Sequence, residues 1–228
     1  MRVLAVDTSS ERGSVCVTDR GDVLGEIRLA SSVHYSERLF HSVDFLVRHI
    51  PFQLSEIEVF AAARGPGSFT GLRVGLAAMD AFVAAHNKRG VGVSTLEALA
   101  WKTGVRDVLI APTIDARRGD VYGALYRRIE TNTPSDRLIE DRPPVVLKPA
   151  QWFASLPRSP LVFCGDGAYR YRSLIEEQPE WSIHTMDLYL AATVAELAAM
   201  PNGGPLAPLY VRKTDAEIAL ESAGRSNS

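Results

Sequence analysis

The residues best equipped for chemistry stand close to the start of the chain. Asp7, Thr8, Ser9 and Ser10 directly follow the apolar run Arg2 to Val6. A carboxylate can hold a hydrated cation, and neighbouring hydroxyls and backbone N–H groups can take a phosphate. The same four residues also fit a turn in which Asp and Ser accept hydrogen bonds from their own backbone; on chemistry alone the plain turn is the stronger reading. A second candidate is the loop Gly65-Pro66-Gly67-Ser68-Phe69-Thr70-Gly71, whose outer glycines are spaced as in a Walker A loop. Leu72 and Arg73 follow where that motif needs Lys and a hydroxyl, so a P-loop is excluded. What remains is a tight strand-to-helix connection ending at a helix N-terminus, a natural anion site. His34, His41 and His49 are seven and eight apart, and Arg38 and Phe45 occupy places that a helical ligand pair would need. No metal site is expected. Ser, His and Asp do not cluster in a GxSxG context, so no catalytic residue is expected either. Cys16 and Cys164 lie far apart and outside any CxxC pattern, as two buried thiols in a reducing compartment would.

The 228 residues carry a formal net charge of −2, with 46% hydrophobic and 23% charged residues, an ordinary globular mixture. A protein gripping RNA alone needs a basic patch to displace counterions, and the sequence has no such run. Met1 to Asp7 reads as a first strand and not as a signal peptide. No stretch approaches the length of a membrane-spanning helix. A cytoplasmic protein without membrane contact is expected.

Strand and helix patterns alternate along the chain. Arg2 to Val6, Ser14 to Thr18 and Val23 to Leu29 read as three strands, the last two joined by the hairpin signal Asp19-Arg20-Gly21-Asp22. Ser36 to Ile50 is a helix by its apolar stripe, stopped by Pro51. Ile57 to Ala63 is a strand, Phe69 to His86 a helix and Gly90 to Val93 a strand. A helix then runs from the Ser94…Glu97 cap to about Lys102. The strand pattern starts again over Asp107 to Ile114, with Val108 to Ile110 its apolar run, and Val121 to Arg128 alternates as a strand, with a turn at Asp115 to Asp120. Thr131 to Pro144 reads as a surface loop. Pro149 to Leu156 reads as a helix, Leu161 to Cys164 as a strand, then helices to about Glu177 and over Asp187 to Met200, and an extended Pro205 to Arg212. This is an α/β chain whose second half reads as a degenerate copy of the first. The expected division is an N-terminal lobe over 1–105, a C-terminal lobe over 106–221, and a disordered polar tail over 222–228.

The helix Phe69 to His86 is apolar nearly all round, interrupted by Arg73 and Asp80. Such a helix must be covered on more than one side. Leu72, Leu76, Met79 and Val83 suit its own sheet. A neighbouring stripe of Gly71, Gly75, Ala78, Phe82 and Ala85 suits close approach of another helix. In the preceding helix Phe45 lies off the core stripe that contains Leu39. Leu39, Phe45, Gly71, Gly75, Ala78, Phe82 and Ala85 are therefore the expected docking residues, and Gly75→Glu is expected to abolish pairing without unfolding the monomer. The alternative is that the two helices simply cover each other.

The ordered segments VDTSSERGSVCV, HYSERLFHSV, ARGPGSFTGLRVGLAAM, VSTLEALA, IDARRGDVYGALY, GDGA and PLYVR span nearly the whole chain and resemble the TsaB family, also called YeaZ. GPGSFTGLR followed by IDARRGDVY is the specific part of that resemblance. It implies a duplicated actin-like ATPase fold (ASKHA, RNase H-like) shared with TsaD. It implies a non-catalytic scaffold for making threonylcarbamoyladenosine in tRNA, working with TsaD and TsaE, forming a homodimer when alone and meeting tRNA only through the complex. Docking through the first two long helices is part of what it implies. Asp7, Thr8 and Ser9 match the superfamily's first phosphate loop in vestigial form; no cofactor is expected on the chain alone, with ATP or ADP at an interface shared with the partner. His41 stands where the family often has Pro, and Asp80 to Val83 depart from a more usual run of small residues, which bears on partner choice. Two other readings compete: an ATP-dependent phosphotransferase using Asp7, and a glycoprotease-like peptidase.

Overall fold

A computed structural model describes residues 1–30, 35–129, 137–201 and 203–211. The chain begins with β1 (Arg2–Asp7), β2 (Arg12–Asp19) and β3 (Asp22–Ala30), an antiparallel meander. Arg20 and Gly21 both take positive φ, 53° and 94°, between β2 and β3, which is the primed turn that matches the twist of a tight hairpin. Next come α1 (Tyr35–His49), β4 (Val59–Ala63), α2 (Phe69–His86), β5 (Arg89–Val93) and α3 (Thr95–Lys102). β4 lies parallel to β1, and β5 parallel to β4, so the first sheet runs β3-β2-β1-β4-β5.

The second half repeats this order. β6 (Leu109–Asp115), β7 (Val121–Ile129) and β8 (Arg137–Leu147) form an antiparallel meander. After α4 (Pro149–Ala154), β9 (Leu161–Cys164) joins parallel to β6. Two short helices, α5 (Asp166–Arg170) and α6 (Arg172–Glu176), lead to β10 (Trp181–Ile183), parallel to β9. The sheet order β10-β9-β6-β7-β8 is the first order over again. The internal duplication, faint in sequence, is thus plain in topology, and the α/β class with two mixed sheets flanked by helices is as expected.

β1 and β4 are buried along nearly their whole length. Both faces are covered, so their apolar residues run continuously while alternate side chains serve different cores. Leu4, Val6, Phe60 and Ala62 meet α1 and α2; Val3, Ala5, Val59, Ala61 and Ala63 meet the apolar layer between the sheets. That middle layer contains α3 and α7 (Ala191–Ala198) together with Ile110, Ile114, Ala124 and Tyr126 of the second sheet. A third cluster around Trp152, Phe163 and Trp181 closes the far side of the second sheet.

Several elements differ from expectation. The expected loop over 131–144 is partly β8: Pro143 and Pro144 fall where the β7–β8 register skips between Gly123↔Val145 and Leu125↔Arg142, on an edge strand that tolerates lost ladder bonds. The helix expected after Cys164 breaks at Tyr171 into α5 and α6, and the one expected over Asp187 to Met200 shortens to α7. β10 escapes the pattern because three residues show no usable alternation. α7, expected in the C-terminal lobe, packs on β1, β2 and β4 of the first sheet. The expected tail over 222–228 lies outside the described residues. No helix among the described residues is long and apolar enough to cross a membrane.

Candidate functional site

The turn after β1 is sealed by the loop before α2. Asp7 is fully buried; its Oδ1 accepts a hydrogen bond from the Ser9 N–H at 2.9 Å, while Oδ2 has no hydrogen-bond partner among the described residues. Burial pushes its pKa up from 3.8 to about 6, and hydrogen bonding with Ser9 pulls the other way. Thr8 Oγ1 donates to the Gly71 carbonyl at 2.7 Å, and the Ser68 N–H donates to the Ser9 carbonyl at 2.6 Å. A Cβ on Gly67 would overlap Ser9 O, one on Gly71 would overlap Thr8 O, and one on Gly75 would overlap Thr8 Oγ1. These glycines exist for close backbone approach within the chain.

The second half carries the counterpart turn. Asp115 Oδ1 accepts from the Arg117 N–H at 3.0 Å, as Asp7 does from Ser9. Arg117, Arg118 and Gly119 all take positive φ, 59°, 53° and 76°. Asp115 also meets Arg170 at 3.5 Å, and its own N–H donates to Asp166 Oδ1 at 3.0 Å. The two turns face each other across a cleft of about 750 Å³. Ser9, Ser10 and Glu11 line one wall with Ser68 and Thr70 of the α2 start; Asp115 to Arg118 line the other, and Leu209 to Val211 pass its edge. Arg117 and Glu11 bridge the walls at 3.0 Å. Of the three residues expected at a phosphate, Ser9 reaches this cleft, while Asp7 and Thr8 are not among its lining residues.

The expected docking residues divide. Leu39, Gly71, Gly75 and Ala78 are buried against their own sheet and turn, which corrects the idea that they face a partner. The small residues let α2 approach β1 and its turn, not a second helix. Gly75→Glu would therefore break the monomer before it tested pairing. Phe45 is 55% exposed and stacked on His49 at 4.3 Å, and Ala85 is exposed. Phe82 is half-buried, stacked on Phe60 at 5.5 Å and near Phe40 at 6.3 Å. The outer face also holds residues the stripe argument missed: Phe40 at 50% exposed, and Ala77, Ala81 and Ala84. Counting by helical turns alone finds the three alanines, since they lie opposite Leu72, Leu76 and Met79 on α2. His41 and His49 are exposed on α1, while His34 lies outside the described residues. Cys16 and Cys164 are buried and unbonded, and burial pushes both thiols up, Cys16 to about 12.

Two sheets of one strand order, with paired Asp turns facing a shared cleft, define a duplicated two-sheet α/β protein. A family model described as "TsaD: tRNA N6-adenosine threonylcarbamoyltransferase" matches residues 27–174. The chain is 38% identical over 134 residues to the Escherichia coli "tRNA threonylcarbamoyladenosine biosynthesis protein TsaB", a match covering 57% of each chain. It is 28% identical over 179 residues to the Bacillus subtilis protein of the same name, covering 78% of this chain and 76% of that one. The match thus spans little more than half of the E. coli relative and about three quarters of the B. subtilis one. A solved structure of "YeaZ from Pseudomonas aeruginosa" superposes with a TM-score of 0.75 at 25% identity, covering 92% of this chain and 99% of that chain. The chain belongs to the TsaD family so described, and within it to the TsaB/YeaZ group.

Proposed function

We propose that this chain is a non-catalytic partner subunit in the making of threonylcarbamoyladenosine in tRNA, docking TsaD through the outer face of α1 and α2. The observation that carries this reading is the number of exposed apolar side chains on the two helices: Phe40 and Phe45 of α1 at 50% and 55% exposure, and Ala77, Ala81, Ala84 and Ala85 of α2. Exposed aromatics on a contiguous apolar face mark contact surfaces. In this reading the same face pairs two copies when the chain is alone, TsaE joins the assembly, and tRNA is met only through the complex. The chain runs no reaction itself. Asp7, the carboxylate suited to anchor a metal-bound phosphate, is fully buried behind Thr8 and Gly71, and ATP or ADP belongs to a surface shared with the partner. A cytoplasmic setting accords with two unbonded buried thiols.

Size exclusion of the chain mixed with TsaD from the same source tests this. A heterodimer peak is expected, weakened by Phe45→Glu and by Ala81→Glu. Loss of a central aromatic anchor costs about 2 kcal/mol or more in such interfaces. Unchanged pairing by both folded variants would sink the assignment of the face.

A further inference from the structure

We propose that the outer edge of β3 is a docking edge for a second copy of this chain: two copies join there strand to strand, antiparallel, about a two-fold axis at Ile27. Duplication supplies an internal comparison. β3 and β8 hold the same place, the outer end of the meander in each five-stranded sheet. β8 is blunted as edge strands usually are, by Pro143 and Pro144 at a break in its register. β3 has nine residues from Asp22 to Ala30, with no Pro and no Lys among them, against a usual strand length of about 5–6. Its one irregularity falls near the start, where Leu24 is skipped in the pairing with β2; Gly25 to Ala30 then pair without a break. No strand among the described residues covers its outer side. Such an edge offers a row of free N–H and C=O groups to another strand.

The side chains select the partner and the register. Gly25, Ile27 and Leu29 form a half-buried apolar row on the α1 side; Ile27 packs on the α1 cluster, and a Cβ on Gly25 would overlap Leu46. On the other face Glu26 and Arg28 form an ion pair at 2.8 Å. Arg28 also reaches Asp187 at 3.7 Å and lies over the Tyr189 ring, yet its side chain stays half exposed. In an antiparallel pair centred on Ile27, Glu26 of each copy stands opposite Arg28 of the other, so both charge pairs are reciprocal. Ile27 then meets its own copy, and Leu29 comes beside Gly25. Centring on Glu26 or on Arg28 would set like charges directly opposite, which destabilises a strand pair. A two-fold contact needs a self-complementary surface, and a strand ordered acid, apolar, base across its centre supplies one. This edge is separate from the proposed helix face, which belongs to α1 and α2.

Sedimentation equilibrium of the full chain carrying Ala81→Glu, which closes the helix face to pairing, tests this. A reversible dimer is expected. Glu26→Arg and Arg28→Glu, each added to that chain, turn both cross-copy pairs repulsive and should weaken the dimer about tenfold or more. Mixed together, one chain brings two bases to the edge and the other two acids, so the mixture should pair although neither chain pairs alone. Neither chain keeps the internal ion pair, so this recovery reports the contact between copies and not the fold of one. Ile27→Cys places two thiols face to face at the axis, where opposed Cα atoms lie about 4.5–5.5 Å apart, a span a disulfide can bridge. Oxidation with diamide should then give a covalent dimer, with the buried Cys16 and Cys164 left out of it. Any of four results overturns the proposal: a monomer at every concentration, association unchanged by the charge reversals, a mixture no better paired than its parts, or a dimer that Ile27→Cys does not link. If α1 and α2 dock nothing, Ala81→Glu changes nothing here, so the two readings fail separately.

Discussion

Asp7 shows how one buried carboxylate can shape the behaviour of the molecule. It is fully buried, keeps one hydrogen bond from the Ser9 N–H, and titrates near pH 6 in place of 3.8. Its folded pKa is raised, so the stability it permits is fully present below about pH 4 and is lost as the pH rises through about 6. Asp7→Asn keeps an oxygen for the Ser9 N–H and removes the charge. At pH 7 to 8 it should stabilise the fold by up to about 3 kcal/mol, since one pKa unit is worth about 1.4 kcal/mol. Near pH 4 the gain should vanish. Urea unfolding of both chains at the two pH values measures it; equal stability at neutral pH would show that the carboxylate is not strained by burial. The cysteines obey the same rule with less consequence. Cys16 and Cys164 are buried with thiols pushed upward, so alkylation of the native chain should be slow and track unfolding, because only the exposed thiolate reacts.

Among the elements, α2 is the most informative, because its sequence supports two packings and its neighbours choose one. Gly71, Gly75 and Ala78 sit beside Leu72, Leu76 and Met79, and together they make one wide buried face. Read as a sequence, the small residues look like an invitation to a second helix; in the fold they admit the backbone of the β1 turn. Helical periodicity gives the angle of each residue around the axis. It does not say which neighbour lies there, and that is why the helix bounds were legible while the burial of Gly71, Gly75 and Ala78 against their own chain was not. The same limit explains β8 and α7. Two prolines argue against a strand until the partner register skips at them. α7 belongs by sequence order to the second half and by packing to the first. The hairpin at Arg20-Gly21 and the Ser94 cap over Glu97 were readable because a turn or a cap is decided within four residues. Gly75→Ala tests the packing directly. The added methyl meets Thr8 Oγ1, and overpacking of this kind costs about 1–3 kcal/mol. Ala81→Ser, on the exposed face, should stay within about 0.5 kcal/mol. Denaturation midpoints of the two variants separate the inner from the outer side of α2.

At the scale of the whole molecule, duplication of topology has not made two independent units. The layer between the sheets is shared: Val3, Ala5, Val59 and Ala61 of the first sheet, Ile110 and Ala124 of the second, and α3 and α7 between them form one apolar cluster. Further ties cross the same boundary. The Ala191 N–H donates to Ser14 Oγ at 2.9 Å, and Lys102 reaches Asp187 and the Tyr189 carbonyl. Gly204 pairs with Gly92, and the Leu209 N–H donates to the Arg64 carbonyl at 2.7 Å. The chain thus returns to its first sheet after completing its second. A fragment of residues 1–105 keeps a complete five-stranded sheet yet loses α7 and the second sheet, leaving one apolar face of β1 and β4 bare. Sheets are stable when both apolar faces are covered, so this fragment should lack fixed tertiary packing, seen as a lost near-ultraviolet dichroism signal. Adding residues 187–211 by a flexible linker should recover part of that signal, because α7 then covers β1, β2 and β4 again. Full native dichroism from residues 1–105 alone would show two separable lobes; a single cooperative transition in the intact chain, with no fixed packing in the fragment, follows from the shared layer.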